Sequence, residues 1–310
     1  MVQSPFFSYT IDKLTDMKKT DKPNTEETIG KERKTTSTRK TNQSSKKEPF
    51  SSTKFETYLL KIQKCIGAKK TEEASHLIEI AEKEVNRAVT DIKNNKTEKG
   101  NVSICFFFSL MELSLYSDYY QDKSSDIVLL PYDYVSLLSL KGQLHFLEND
   151  HEGAKGCLHE AMKFNPVCTD LLFLDADINH AQFNWFSYMM DLDKVSTFLH
   201  KESDFRRYYR YLSTYYKEYE SHPELAKILD GLGNEKEKNT LHQSFKFLTE
   251  KQKNLLDEYK IPYDISKLVL DVLVDSCRQS ISENMIPQYK YFHSLLSQFR
   301  NDKDIIDLID

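Results

Sequence analysis

The chain has 310 residues, of which 39% are hydrophobic and 29% charged, and it contains only eight Gly and eight Pro. So few turn-forming residues exclude an all-β sandwich, which needs a turn about every ten residues, and favour long helices with short connections. The net charge of −5 is unevenly spread, because residues 1–54 hold twelve Lys/Arg against seven Asp/Glu. The rest of the chain is therefore acidic, and we do not expect it to bind polyanions.

Two features of the sequence bear on its compartment. The N-terminus lacks the apolar core of a signal peptide, and the longest apolar run, 104–115, falls short of the ~20 residues that a membrane span needs. The five cysteines are odd in number, form no C-x-x-C pair and lie in or beside apolar helical stripes. We therefore expect buried, reduced thiols in a cytoplasmic protein that contacts no membrane.

Residues 1–50 are dominated by Lys, Thr, Ser and Glu, with few apolar side chains. Such a segment cannot bury enough surface to offset the entropy of ordering, so we predict a disordered basic tail. Its basic cluster at 31–40, KERKTTSTRK, is compatible with nuclear import or polyanion binding. A solvated tail is the favoured interpretation, because Glu32 interrupts the cluster and no second basic block follows.

Helical periodicity begins near residue 51. Phe55, Leu59, Ile62 and Ile66 share one apolar face, and Gly67 is predicted to cap that helix. A second helix is predicted from Thr71 to about residue 93, antiparallel to the first. The strongly apolar stretch 101–120 is predicted as a third helix, buried between its neighbours.

The stretch 131–166 predicts two antiparallel helices joined near 148–152. Small residues stand where two helices must approach closely, and a proline stands where the second must end. The positions that carry the pattern are Leu138, Gly142, His145, Asn149, His151, Ala154, Leu158, Ala161 and Pro166. This spacing resembles the tetratricopeptide repeat, a 34-residue helical hairpin, although His145, Asn149 and His151 depart from its consensus.

The pattern recurs in weaker form along the chain. Adding the 34-residue period to Leu138 and Gly142 gives Leu172 and Ala176, so 167–200 is predicted as a degenerate second unit and 203–232 as a third. A helical pair at 263–299 would close the array, and 301–310 form an acidic tail. The resemblance thus implies an all-α fold, a right-handed α-solenoid of antiparallel hairpins within 51–300.

Sequence motifs for catalysis are absent. The chain contains no phosphate-binding glycine loop, no H-E-x-x-H and no paired Cys/His spacing, so neither cofactor nor metal is expected. No nucleophile–base signature is present either, and we expect no enzymatic activity. A hydrolase or transferase with an unrecognised active site is the alternative.

The family resemblance implies a binding groove lined by the first helix of each unit. At the matching positions this groove would present Ser139, Gln143, Phe146, Phe173, Asp177 and His180. The Lys and Asn residues with which family members clamp a chaperone C-terminus are not recognisable here. Because the groove mixes aromatic and acidic groups, the implied partner is a basic or apolar peptide or helix of another protein.

A second candidate surface is the Arg/Tyr-rich helix predicted at 204–219. Arg206, Arg207 and Arg210 alternate there with tyrosines, a composition found in interface hot spots and also able to stack nucleic-acid bases. The favoured interpretation is structural: the tyrosines pack and the arginines pair with nearby acids. The sequence as a whole predicts a protein-binding scaffold or adaptor. The alternative is a nucleic-acid-associated protein that uses the basic tail and this helix, although nucleic acid is the less expected partner.

Overall fold

The computed structural model of the chain describes residues 51–96, 101–120, 125–234 and 241–309. Within these residues 76% are helical, in 14 helices, which confirms the predicted helical class. The helices are α1 (Ser52–Gly67), α2 (Thr71–Lys96), α3 (Leu110–Tyr119), α4 (Tyr134–Leu147), α5 (His151–Phe164), α6 (Thr169–Ala181), α7 (Trp185–Phe198), α8 (Glu202–Glu218), α9 (Pro223–Asn234), α10 (Leu241–Lys246), α11 (Glu250–Glu258), α12 (Lys267–Ser282), α13 (Ile286–Leu296) and α14 (Asp302–Ile309), and the strands are β1 (Asn101–Cys105) and β2 (Ser125–Leu129).

The chain divides into two compact units, Met1–Lys54 and Phe55–Asp310. The first is described only from Ser51 onward, so the predicted tail at 1–50 lies outside the described residues.

Consecutive helices pair as hairpins. The closest helix pairs are α4 with α5, α6 with α7, α8 with α9, and α12 with α13. Each hairpin also contacts the next, through α5 with α6 and through α7 with α8, while α2 packs on α4. The described helices from α4 to α9 therefore form three hairpins stacked in chain order.

Five turns that end a helix share one backbone motif. The second residue after the helix has a positive φ of 53–61°, at Lys69, Asn149, Phe183, Lys260 and Asn284. In each, the following N–H donates to the carbonyl oxygen five residues earlier, as Asp150 does to His145 at 2.9 Å. This is the Schellman arrangement, which satisfies carbonyl groups at the helix end. Helix α1 ends at Gly67 as predicted, but the left-handed residue of the turn that follows is Lys69 and not the glycine.

The hairpin of α4 and α5 contains the predicted close approach. A Cβ atom added to Gly142 would lie 3.3 Å from the carbonyl oxygen of Ala154 and 3.4 Å from the Cβ of Cys157. Such contacts are at the limit of what side chains tolerate, and the backbones could not come this near with a larger residue at position 142. The prediction made from the small-residue spacing is confirmed at this position.

A β–α–β segment interrupts the helical series and was not predicted. The expected helix at 101–120 is wrong in its first half, because Asn101–Cys105 pair in parallel with Ser125–Leu129 and only Leu110–Tyr119 are helical. Parallel strands need a crossover connection, which α3 supplies. The side chain of Ser109 caps α3, and the buried carboxylate of Glu112 accepts hydrogen bonds from the Phe108 N–H (2.7 Å) and the Asn165 Nδ2 (2.9 Å). Glu112 thereby fastens the segment to the end of α5.

The C-terminal helices complete a continuous apolar core. Helix α12 contacts α3, α7, α13 and α14, and its Val269, Leu273 and Cys277 are fully buried. Residues 301–310, predicted as an acidic tail, include α14, whose Ile305 is buried in the same core. All five cysteines are buried and free, as the apolar stripes predicted.

Candidate functional site

Arg207 in α8 is the centre of a buried network that joins α8 to α6. Its guanidinium carbon lies 4.2 Å from the centroid of the Phe173 ring, its Nη1 lies 3.2 Å from Asp170 Oδ1, and its Nη2 donates to the Tyr211 hydroxyl at 3.1 Å. Only 8% of Arg207 is exposed. A buried guanidinium is tolerated when carboxylates and aromatic faces replace its hydration, as they do here.

Asp177 extends this network along α6. The Tyr211 hydroxyl donates to its Oδ1 at 2.7 Å, while its Oδ2 is buried without a hydrogen-bond partner. Burial raises the pKa of Asp177 to about 6, outweighing the opposite effects of the Arg207 charge and the Tyr211 hydrogen bond. The cation that stabilises this poorly solvated carboxylate is Arg207, whose Nη2 lies 3.9 Å from Asp177 Oδ2.

Three cross-helix contacts fix how α6 and α8 align. Asp170 meets Arg207, Asp177 meets Tyr211, and His180 Nε2 lies 3.0 Å from Glu218 Oε2. The contacts advance along both helices in the same direction, so α6 and α8 run parallel. This is the alignment expected for the first helices of successive hairpins.

An aromatic surface stands at the end of this network. It consists of His180, Trp185, Tyr215 and Tyr219. The ring centroids of Trp185 and Tyr219 are 5.7 Å apart with an interplanar angle of 26°, and Trp185 also contacts His180 at 5.0 Å and Tyr215 at 6.1 Å. Tyr219 is 54% exposed and the other three are half-buried. Stacked rings with exposed edges and faces offer a large contact area at low entropic cost.

Local sequence explains why these rings meet. Phe183 adopts the left-handed turn conformation and Asn184 caps α7, so Trp185 begins α7 next to His180 at the end of α6. Tyr215 and Tyr219 are four residues apart and share one side of α8. Beneath them Tyr188, only 2% exposed, donates its hydroxyl to the Tyr211 carbonyl at 2.8 Å. The aromatic surface is thus held from below by buried contacts.

The residues predicted for the groove occupy different environments. Asp177 and His180 belong to the network and the aromatic surface, whereas Phe173 is fully buried and presents no surface to a partner. Ser139, Gln143 and Phe146 lie on α4 in the preceding hairpin, and Gln143 is largely buried with its Nε2 unsatisfied. The structure therefore brings together only the α6 members of that set.

The three predicted arginines are bound within the protein. Arg206 donates from Nε to Glu202 Oε1 at 3.0 Å and from Nη1 to the Leu232 carbonyl at 3.2 Å, and Arg210 Nη1 donates to the Gly233 carbonyl at 2.7 Å. Both side chains thus satisfy carbonyl groups at the end of α9, where cations are favourable. Arg206 and Arg207 pair with the acids Glu202 and Asp170, as the structural interpretation of this helix expected, whereas the exposed Arg210 donates to a backbone carbonyl instead.

Trp185, Tyr219 and Glu218 were not singled out from the sequence. Two signals were present: Trp185 is the single tryptophan of the chain, and Tyr215 and Tyr219 are spaced to share a helix side. The pairing of His180 with Glu218 across 38 residues has no local signature.

A second buried polar cluster lies between α6 and α7. Asp191 accepts from Asn179 Nδ2 at 2.7 Å and is 4% exposed, and Asp175 Oδ2 lies 3.2 Å from His159 Nε2. Burial, with a further contribution from the Asp175 charge, raises the pKa of Asp191 to about 6. The ionised form of Asp191 is therefore a cost to the folded state near neutral pH.

Asp191→Asn is expected to raise the free energy of unfolding at pH 7 by about 1–2 kcal/mol, because the buried charge is removed while the acceptor for Asn179 remains. The folded pKa of about 6 exceeds the unfolded value, so the native state holds the proton more tightly. The contribution of Asp191 to stability therefore falls as pH rises from about 4 to 6. Urea unfolding between about pH 4 and 6 is expected to show that the free energy of unfolding falls less with pH for the variant than for the parent. The same dependence on pH in both proteins would contradict this account.

Comparison of the chain with protein-family models, with curated proteins and with solved structures gave no match. In the described ranges, no group of His, Cys, Asp and Glu side chains is arranged to hold a metal ion. None of the described helices is both long and apolar enough to cross a membrane.

Proposed function

We propose that this protein is a cytoplasmic scaffold or adaptor, built as a right-handed tetratricopeptide-like solenoid, that binds a peptide or helix of a partner protein and catalyses no reaction. Three hairpins stacked in chain order, with α6 and α8 parallel, support this architecture. Hairpin stacks of this kind expose a face formed by their first helices, and such faces bind extended segments.

The observation that carries the proposal is the aromatic surface of His180, Trp185, Tyr215 and Tyr219. Tyr and Trp are the residues that most often dominate protein interfaces. Here they stand on a buried network in which the Arg207 guanidinium contacts a ring, a carboxylate and a hydroxyl. Side chains that are already held in place lose little conformational entropy when a partner binds, and a smaller entropy loss gives a higher affinity for the same contact area.

Charges around the aromatic surface favour a basic or apolar partner segment. Glu218 is about half exposed beside His180, and Glu220 accepts a hydrogen bond from the Tyr215 hydroxyl at 2.9 Å. A Lys or Arg side chain lying over the rings would gain both cation–π and carboxylate contacts.

Nucleic-acid binding, the alternative from sequence, relied on the basic tail at 1–50, which lies outside the described residues, and on the Arg/Tyr-rich helix, which now offers it less support. Arg206, Arg207 and Arg210 were its proposed contacts, and all three are engaged within the protein. Nothing in the described ranges favours it over a protein partner.

Trp185→Ala and Tyr219→Ala are each expected to weaken peptide binding at least about 10-fold, the loss typical of an interface hot spot. The probe is a library of random linear peptides displayed on phage and selected on the full chain. Enriched peptides are expected to carry Lys, Arg or aromatic residues, and their affinities are measured by titration calorimetry. Phe247→Ala is the control, since Phe247 is 75% exposed but lies on the segment between α10 and α11. Peptides that bind the parent and both variants equally would contradict the proposal.

A further inference from the structure

The small sheet leaves one strand edge unpaired. The Leu130 N–H donates to the Cys105 carbonyl at 2.8 Å, which fixes the side of the strand that faces β1. Residues alternate along a strand, so the backbone groups of Ser125, Ile127 and Leu129 point away from β1. The other side of β1 packs against α2 and α5, and the Phe106 N–H, just beyond the strand, donates to the Phe164 carbonyl at 3.0 Å.

Part of the outer edge of β2 is exposed to solvent. Leu129 is 54% exposed and Asp126 is exposed, while Ile127 and Val128 between them are half-buried. No hydrogen bond within the described part of the chain reaches the outward backbone groups of Ile127 or Leu129. Unpaired N–H and C=O groups in a row form a template for another extended strand. A parallel sheet of two strands is also smaller than sheets usually are.

We infer that β2 pairs antiparallel with β2 of a second copy of this chain, about a two-fold axis that passes through Ile127. In this register Ile127 lies opposite Ile127 of the second copy. Ser125 of each copy lies opposite Leu129 of the other. Every outward backbone group of the strand then finds a partner, giving about six hydrogen bonds and a four-stranded sheet across the dimer.

The charge of Asp126 favours antiparallel pairing over in-register parallel pairing of the two strands. Asp126 lies opposite Val128 of the second copy in the antiparallel register, so the two carboxylates do not oppose each other directly. An in-register parallel pairing would set Asp126 against its own copy, which is destabilising. The strand is short, about 17 Å, so the interface is small and the dimer is expected to dissociate on dilution.

The inference is independent of the proposed function, since β2 and the aromatic surface lie on different elements. Pairing would nevertheless give one assembly two aromatic surfaces, and a partner with two binding segments would then gain in overall affinity.

Cysteine cross-linking of the full chain tests the register. All five native cysteines are buried, so a cysteine added on the outer edge of β2, where Ile127 is half-buried and Leu129 is exposed, is the reactive one. Ile127→Cys is expected to form a disulfide-linked dimer rapidly under mild oxidation, because the two Cα atoms lie about 5.5 Å apart in the pair. Leu129→Cys is the matched control: its Cα lies about 14 Å from its copy, too far for a disulfide. Equal cross-linking of both variants, or of neither, overturns the inference.

Sedimentation equilibrium tests the hydrogen bonds themselves. Ile127→Pro removes an N–H that points away from β1, so the internal sheet is retained, as prolines in edge strands allow. The parent chain and Ile127→Val are expected to dimerise with rising concentration, and Ile127→Pro to need at least 10-fold more protein to do so. Circular dichroism confirms that each variant is folded. A parent chain that stays monomeric, including one whose edge instead takes a peptide of another protein, or an Ile127→Pro variant that dimerises equally, overturns the inference.

Discussion

Arg207→Met is expected to lower the free energy of unfolding by about 3–5 kcal/mol. Methionine fills a similar volume over the Phe173 ring but leaves Asp170, Asp177 and the Tyr211 hydroxyl without their cation, and removing one partner of a buried ion pair is costly. Urea unfolding followed by the fluorescence of Trp185, the single tryptophan, measures the change.

The matched control is Arg210→Met, on the same helix. Arg210 is exposed and its Nη1 donates to the Gly233 carbonyl, so its loss is expected to cost no more than about 1 kcal/mol. Equal losses for the two variants would show that Arg207 is not the centre of the contact between α6 and α8.

Gly142→Leu is expected to lower the free energy of unfolding by about 2–3 kcal/mol, because the larger side chain would force α4 and α5 apart. The first added atom already lies 3.3 Å from the Ala154 carbonyl and 3.4 Å from the Cys157 Cβ. Thermal unfolding followed by circular dichroism measures the loss.

Gly156→Leu, in the same hairpin, separates crowding from helix propensity. A Cβ at Gly156 meets no atom within 4 Å, so leucine there is expected to stabilise α5 by about 0.5–1 kcal/mol. If both substitutions stabilise the protein, the close approach of α4 and α5 at Gly142 does not constrain the hairpin.

Local sequence signals were sufficient for most of the helices. The apolar period, the small residues at Gly142 and Ala154 and the proline at 166 predicted α4 and α5, and α6 and α7 lie within the second unit predicted at 167–200. These signals act within a few turns of helix, where spacing alone decides which side chains face each other.

The β–α–β segment could not be found in this way. Val102 and Ile104 suit either a buried helix or a strand, and short apolar runs do not distinguish the two. Whether this run forms a strand is decided by its pairing with residues 24 positions later in the chain, as Asn101 pairs with Ser125. Contacts of that range leave no periodic trace in the sequence.

The candidate site was only partly predictable for the same reason. The position of Asp177 and His180 on the first helix of a unit was correct by spacing, but the burial of Phe173 and Arg207 depends on how α6 and α8 align. An alternation of Arg and Tyr reads as an exposed binding surface until cross-helix partners such as Asp170 and the Gly233 carbonyl are known.

Hydrogen–deuterium exchange of the full chain, with and without a peptide selected on it, tests the central claim most directly. The claim is that a partner segment binds over the aromatic surface of His180, Trp185, Tyr215 and Tyr219. We predict slowed exchange at the end of α6, at the start of α7 and in the last two turns of α8. Slowed exchange confined to α4 or to α12 and α13, with no change around Trp185 and Tyr219, would contradict it.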